Sequence, residues 1–331
     1  MPHDIHMARA LELARSVDLS RDVNPHVGAV VVDSDGTVVG EGWHRGSGTK
    51  HAEVIAVEAA GERAKGATVY VTLEPCNGTG RQGPCTQALI DAGVTRVVYG
   101  QQDPNIEMAG GTAVLRTAGI DVVSGVLADE CRALNATWTF AHANARPWVK
   151  WKTATTLDGF IAATDGTSKW ITGELARAEV QNIRRSVGAI VTGTGTVLAD
   201  NPAMTVRELP EDQQPLRVIV GSRHIPDDFQ IMTGANPAIT VDADLASVLA
   251  SLWQERKIHS VLIEAGSSLS TSAWSAGVVD EVFWFQAPVI MGTGIPALTD
   301  IDISTMAQVR RFTELDVHRV GLDLLIHFVT R

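Results

Sequence analysis

Three short stretches of the first half bring together residues able to hold a metal and move a proton: His51-Ala52-Glu53, Glu74-Pro75-Cys76 and Pro84-Cys85. Zinc takes imidazole nitrogen and thiolate sulfur, and a catalytic zinc site keeps one coordination position open for water. His51, Cys76 and Cys85 supply three such ligands, so one zinc ion per chain is expected. Glu53, just past His51 at the start of a helix, can reach a water on that metal without binding the metal itself. There it would take the proton of the water and hand it to departing ammonia. His-x-Glu followed by Pro-Cys is a recurring signature of zinc deaminases. Each residue alone has a plainer reading. His51 would be a surface or helix-cap histidine, and the two cysteines buried thiols or half of a structural zinc site. A structural site ordinarily has four protein ligands, and no fourth stands nearby; Cys131 is distant and falls in a helical pattern, as a core thiol.

The flanking pattern supplies elements to position these groups. Gly28–Val32 and Thr37–Trp43 read as strands around a turn at Asp33–Gly36,. A helix over Ala52–Lys65 follows His51, and another over Pro84–Ala92 opens at the second cysteine, where its N-terminus favours thiolate,. Strands at Thr68–Thr72, Arg96–Tyr99 and Ile120–Val123 alternate with helices at Thr112–Ala118 and Ala128–Ala141. That alternation predicts a sheet with helices on both faces. Ala145-Arg146-Pro147 reads as a linker. Beyond it, strands are expected at Trp148–Ala154, Ala189–Thr192, Leu216–Val220, His259–Ile263 and Glu281–Phe285. Helices are expected at Gly173–Arg185, Asp244–Glu255 and Ser268–Ala276, and Gln308–His318 with Gly321–Val329 reads as a closing hairpin,.

The bulk properties narrow the setting. A length of 331 residues suggests two domains,. A net charge of −11 argues against a nucleic-acid partner, while leaving room for a small phosphorylated ligand held by a few arginines,. Three cysteines form no disulfide framework, and a reducing compartment is expected,. The N-terminal residues carry an amphipathic spread, Ile5, Met7, Leu11, Leu13 and Val17, unlike a signal peptide,. No apolar run suits a membrane span, so a cytoplasmic protein without membrane partners is expected. A homo-oligomer is expected as well.

Cys76 and Cys85 enclose residues 77–84, a longer loop than the usual nucleobase-deaminase signature. This loop resembles that of the bifunctional pyrimidine deaminase/reductase family of riboflavin biosynthesis. Also similar to that family are Asn24-Pro25-His26-Val27-Gly28, Gly42-Trp43-His44, Thr72-Leu73-Glu74-Pro75-Cys76 and Asp103-Pro104-Asn105. The second half continues the likeness with Lys152–Gly159, Ser168–Thr172, Gly193–Pro202 and Glu264-Ala265-Gly266. The resemblance implies an α/β protein: a cytidine-deaminase-like three-layer α/β/α domain over residues 1–145, then a dihydrofolate-reductase-like α/β domain over 146–331. It implies zinc-dependent deamination of a phosphorylated pyrimidine, followed by NADPH-dependent reduction of its ribosyl group to ribityl. One departure stands out. The family loop commonly places Ser-His after the first cysteine, where this chain has Asn77-Gly78-Thr79, and Gln82-Gly83 replace Thr-Pro. The zinc ligands survive it. Backbone atoms and Thr79 are expected to replace the contacts of the absent histidine.

In the second half the residues alone say less. Gly193-Thr194-Gly195-Thr196 reads as a turn, without the glycine spacing of a dinucleotide fingerprint,. Gly266-Ser267-Ser268-Leu269 opens a helix whose amides suit a pyrophosphate, or whose serine merely caps it,. Arg184 and Arg207 could clamp a phosphate,. The resemblance assigns Asn24, Ser168, Arg184, Met204, Arg207 and Glu264 to substrate. It assigns Ala154, Trp170, Thr196, Asp200 and Ser222 to NADPH, together with Gly266, Ser267, Ser268, Leu269, Ser270, Thr271 and Ser272. Lys152 and Asp200 are the polar groups expected near the reacting carbon.

Overall fold

The computed structural model describes residues 2–78 and 82–330. The chain divides into two compact units, Met1–Asn144 and Ala145–Arg331.

In the first unit, α1 (Pro2–Ala14) precedes β1 (Gly28–Val32) and β2 (Val38–Trp43). These strands pair antiparallel around a turn that the Asp33 carboxylate closes by accepting from the amides of Asp35 and Thr37. Then come α2 (Ala52–Ala60), β3 (Thr68–Leu73), α3 (Cys85–Asp91), β4 (Arg96–Gln101), α4 (Gly111–Thr117) and β5 (Asp121–Ser124). The strand order is β2-β1-β3-β4-β5, with β3, β4 and β5 parallel. Every residue of β1 is buried, because helices cover both faces of the sheet,. The N-terminal amphipathic spread is α1, which lays Met7, Ala10 and Leu11 on one face against Val30, Tyr70 and Val98. α2 covers the other face, and glycine lets it lie close: a Cβ at Gly42 would sit 2.3 Å from the Ala52 carbonyl oxygen. The helix expected over Ala128–Ala141 is two, α5 (Ala128–Leu134) and α6 (Ala136–Asn144). The break falls at buried Asn135, whose amide pairs with both backbone polar groups of His26, at 2.8 and 2.9 Å.

The second unit opens with β6 (Trp148–Thr155) and β7 (Phe160–Ala162), then α7 (Glu174–Arg185), β8 (Ala189–Gly193), α8 (Thr194–Asp200), β9 (Leu216–Val220) and β10 (Ile239–Val241). It continues through α9 (Leu245–Arg256), β11 (Ser260–Ile263), α10 (Ser267–Ser275), β12 (Glu281–Gln286), β13 (Ile295–Pro296), β14 (Asp316–Val320) and β15 (Asp323–Val329). Eight strands form one sheet in the order β10-β9-β8-β11-β6-β12-β15-β14, parallel from β10 to β12 and antiparallel thereafter. Apolar clusters fill both faces, one around Trp151, Trp274 and Leu249, the other around Phe285, Ile190 and Ile183. Crevices at the carboxyl ends of parallel strands are where such sheets hold ligands.

Two expectations need correction. The turn at Gly193–Thr196 runs into α8, since Thr194 starts seven helical residues. The closing hairpin is shorter than its alternation suggested: residues 308–315 form no strand, because Phe312 turns onto Phe328 and Trp274. The boundary between the units falls at the segment read as a linker, where Arg146 donates to both carboxylate oxygens of buried Asp280 at 2.6 and 2.9 Å.

Candidate active sites

In the first unit three elements converge. The β2–α2 connection delivers His51 as the residue before α2, with its ring making no cap hydrogen bond to the helix. β3 ends in Glu74-Pro75-Cys76, and α3 begins with Cys85. His51 Nδ1 lies 3.1 Å from Cys85 Sγ and 3.5 Å from Cys76 Sγ, and the three ligand atoms lie within 4.8 Å of one another. Bonds of about 2.0–2.3 Å to a common tetrahedral zinc place neighbouring ligand atoms about 3.4–3.8 Å apart, so this donor set fits that ion. The Cys85 amide donates to Cys76 Sγ at 3.4 Å. Hydrogen bonding from Cys85, aided by His51, draws Cys76 down to about 4, and the same partnership pushes Cys85 well above the ordinary thiol value. A divalent cation bound here would favour the thiolate form of both cysteines.

Glu53 is buried in the first turn of α2. Burial first, then the charge of Cys76, pushes its carboxyl up to about 7, with the His51 imidazole opposing. A carboxyl poised near neutrality suits proton transfer in both directions.

Two groups near this centre were not singled out from sequence. His44 stands edge-on to His51 at 5.6 Å between ring centres, donates through Nδ1 to the Lys50 carbonyl and accepts from Asn24 at 3.1 Å. Asn24 thereby reaches the cluster through His44. Asp103, at the end of β4, is buried and pushed up to about 6 by burial and by the negative charges of Glu74 and Cys76. Their signal lay in the motifs Gly42-Trp43-His44 and Asp103-Pro104-Asn105. In the altered loop, Asn77 accepts from Thr86 Oγ1 at 3.0 Å, and its amide donates to the Met108 carbonyl at 2.8 Å. Gly78 lies so close to the next loop that a Cβ would sit 2.5 Å from the Glu107 carbonyl oxygen. Thr79 lies outside the described residues.

In the second unit, Lys152 on β6, Arg184 at the end of α7 and Glu264 just past β11 meet. Arg184 donates to Glu264 through Nε at 2.6 Å and Nη2 at 3.0 Å, and Lys152 Nζ lies 4.0 Å from Glu264 Oε2. Burial alone would raise Glu264, but the Arg184 guanidinium and Lys152 outweigh it and hold the carboxylate below its ordinary range. Burial lowers Lys152. In the same unit, Ser168 Oγ donates to Asp200 Oδ1 at 3.3 Å, and the Gly266 amide donates to Thr196 Oγ1 at 2.9 Å. Gly266 precedes α10 without capping it by a side chain, and the buried Ser267 hydroxyl beside it has no partner among the described residues. An uncapped helix head with an orphaned hydroxyl fits a cofactor pyrophosphate.

Comparison with known proteins decides the family. Residues 147–326 match the model of the RibD C-terminal domain, and residues 2–101 match the cytidine and deoxycytidylate deaminase zinc-binding region. The riboflavin biosynthesis protein RibD of Mycobacterium tuberculosis is 39% identical, over 99% of this chain and 97% of that protein. The RibD of Escherichia coli is 37% identical, over 99% of this chain and 100% of its own length. The chain belongs to the RibD family. Among solved structures, Acinetobacter baumannii RibD matches with a TM-score of 0.90 at 36% identity, covering 99% of this chain and 98% of that one. A Thermotoga maritima diaminohydroxyphosphoribosylaminopyrimidine deaminase/5-amino-6-(5-phosphoribosylamino)uracil reductase matches at 0.83 and 34%, covering 98% of both chains. This RibD-family chain is accordingly a bifunctional deaminase and reductase of riboflavin biosynthesis, with zinc and NADPH as its cofactors.

The RibD reductase unit does not gather every expected residue in the same way. Of the five N–H groups of Arg184, Nε and Nη2 serve Glu264, Nη2 also donates to Met204 Sδ at 3.4 Å, and Nη1 donates to the Thr205 carbonyl at 3.0 Å. The fork expected to clamp a phosphate is therefore engaged internally, whereas the Arg207 side chain is exposed. Ser270 faces the core, accepting from Trp151 Nε1 at 3.0 Å and donating to the Ala265 carbonyl. Leu269 packs near Gly193, and Thr271 meets Thr299, so only Gly266, Ser267 and Ser268 form the helix head. Ser222 is exposed at the end of β9. Trp170, 70% exposed, lies under the Arg177 guanidinium, while half-buried Ala154 borders the apolar cluster. No helix among the described residues is long and apolar enough to cross a membrane.

Proposed function

We propose that residues 1–145 deaminate a diaminohydroxyphosphoribosylaminopyrimidine and that residues 146–331 reduce the ribosyl group of the product to ribityl. The observation that carries this reading is the convergence of His51 Nδ1 on both thiol sulfurs, with buried Glu53 on the adjoining turn. His51, Cys76 and Cys85 would hold zinc, which when bound polarises and acidifies water. Glu53 takes the proton of the attacking water at its carboxylate and delivers it to the departing amine, so a C–O bond forms at the ring carbon and the exocyclic C–N bond breaks, releasing ammonia. Asn24, through His44, orients the pyrimidine. Burial of Glu53 keeps bulk water from competing for that proton.

For the second step, NADPH supplies the hydride when bound, against the ribose C1′. The head of α10 with Thr196 would hold its pyrophosphate, and Ala154, Trp170, Asp200 and Ser222 line its path. Ser168, Met204 and Arg207 bind substrate, with Arg207 on the phosphate. Lys152 holds a proton at Nζ close to Glu264 and Arg184, and it is assigned with Asp200 to the reacting carbon. A homo-oligomer in the cytoplasm, with no nucleic-acid partner, completes the reading. Incubating the protein with the pyrimidine phosphate, with and without NADPH, tests it. Ammonia release in both mixtures, and the ribityl product only with NADPH, are expected. Release of ammonia from cytidine or tRNA instead would sink the substrate assignment.

A further inference from the structure

The loop after α8 carries Met204 and Arg207, and between Val206 and Leu209 it has one backbone hydrogen bond of its own, from the Leu209 amide to the Val206 carbonyl at 3.2 Å. Asn201 and Met204 take positive φ of 44° and 52°, so the loop follows a path that no strand ladder fixes,. Side chains from elsewhere fix it. Gln214 Oε1 accepts from the Val206 amide at 2.7 Å, while Gln214 Nε2 donates to the carbonyls of Val206 and Leu209, each at 2.8 Å. One amide group thus satisfies both backbone polar groups of Val206, as a neighbouring strand would. Gln181 Oε1 accepts from the Arg207 amide at 3.0 Å. Arg207 is bracketed on both sides, while its side chain is exposed.

We propose that Gln214 is a positioning residue of the reductase site: its amide fixes the backbone from Val206 to Leu209 and so aims Arg207 at the substrate phosphate. The proposal rests on the assignment of Arg207 to that phosphate. The mounting is rigid. Gln214 is extended, with φ −68° and ψ 145°, as a residue before proline should be, and Leu216 immediately begins β9,. An exposed arginine keeps much rotamer freedom, and hydrogen bonds weaken steeply as their geometry departs from linear. Fixing the backbone removes one source of misalignment. The chemistry also selects glutamine. Glutamate has the acceptor but no donors, and asparagine is one methylene too short to span from Gln214 to both carbonyls.

The test uses the zinc-loaded full chain and the deaminated ribosylaminopyrimidine, with and without its phosphate. Gln214→Glu keeps one of the three hydrogen bonds, Gln214→Ala keeps none, and Arg207→Ala is the reference. A lost charge-assisted contact should raise KM for the phosphorylated substrate about tenfold or more, with kcat and the NADPH KM little changed. The phosphate-free substrate should keep its kcat/KM, and Gln214→Ala should add nothing to Arg207→Ala. Reduction of the phosphate-free substrate reports that the second unit stays folded, and Gln214→Glu carries the test should Gln214→Ala unfold. An equal fall on both substrates, or no change on either, overturns the proposal. If Arg207→Ala itself leaves phosphate preference intact, the Arg207 assignment fails, and this proposal with it. A shift with Arg207→Ala but none with Gln214→Glu overturns the proposal alone.

Discussion

Arg184 and Glu264 form a two-pronged ion pair, Nε to Oε1 at 2.6 Å and Nη2 to Oε2 at 3.0 Å, with the carboxylate almost wholly buried. Removing one partner of such a pair leaves an uncompensated charge. Arg184→Met should therefore destabilise the second unit by about 3–5 kcal/mol, read as a lowered urea midpoint. An unchanged midpoint with only a raised substrate KM would instead mark Arg184 as a dispensable phosphate ligand.

The same pair sets a pH dependence. Glu264 is held below its ordinary 4.5 because Arg184 and Lys152 outweigh its burial. A depressed carboxylate contributes its full stabilisation above the unfolded value and loses it as pH falls through the folded value. The unfolding free energy of the second unit should thus decline below about pH 4.5. Glu264→Gln, though less stable at neutrality, should show a shallower acid limb. Parallel acid limbs in the two proteins would remove Glu264 from the account.

Loss of one thiolate should cost the metal. Cys85→Ala leaves two of three ligands, and its zinc content by metal analysis should fall well below that of the parent, together with deaminase activity. Undiminished zinc and activity would sink the ligand assignment.

The two chemistries should separate. Glu53→Ala removes proton transfer at the first site, and a positioned acid/base contributes roughly 10²–10⁴-fold, so deamination should fall by at least that. Reduction of pre-deaminated substrate should persist. Asp200→Asn should do the reverse, letting the deaminated ribosyl intermediate accumulate while ammonia release continues. Product analysis with NADPH supplied reads both. Loss of both activities in a folded, zinc-loaded Glu53→Ala protein would point to one composite site.

The deaminase centre was legible because its chemistry is written locally. His51 and Glu53 share a helix start, and each cysteine follows a proline at an element boundary. Strand periods placed β1, β3 and β4 within a residue or two. The reductase half was harder. Arg184 meets Glu264 across 80 positions of sequence, and nothing in either neighbourhood says that the arginine will turn inward. Gln214 gave no signal at all, because its three partners are backbone groups that any residue carries. α8 hid behind Thr194-Gly195-Thr196, where local preference favours a turn and the following packing of Val197 decides for helix.

The contact between Gly78 and the 107–108 backbone constrains the sequence history of the loop. A side chain at position 78 would meet Met108 Sδ at 2.4 Å and the Glu107 carbonyl oxygen at 2.5 Å, and while the methionine can swing away, the carbonyl cannot. Restoring the family histidine is therefore no single step from this sequence. The loop following Asn105 must change first, or at the same time, so positions 78 and 107–108 should covary across RibD chains.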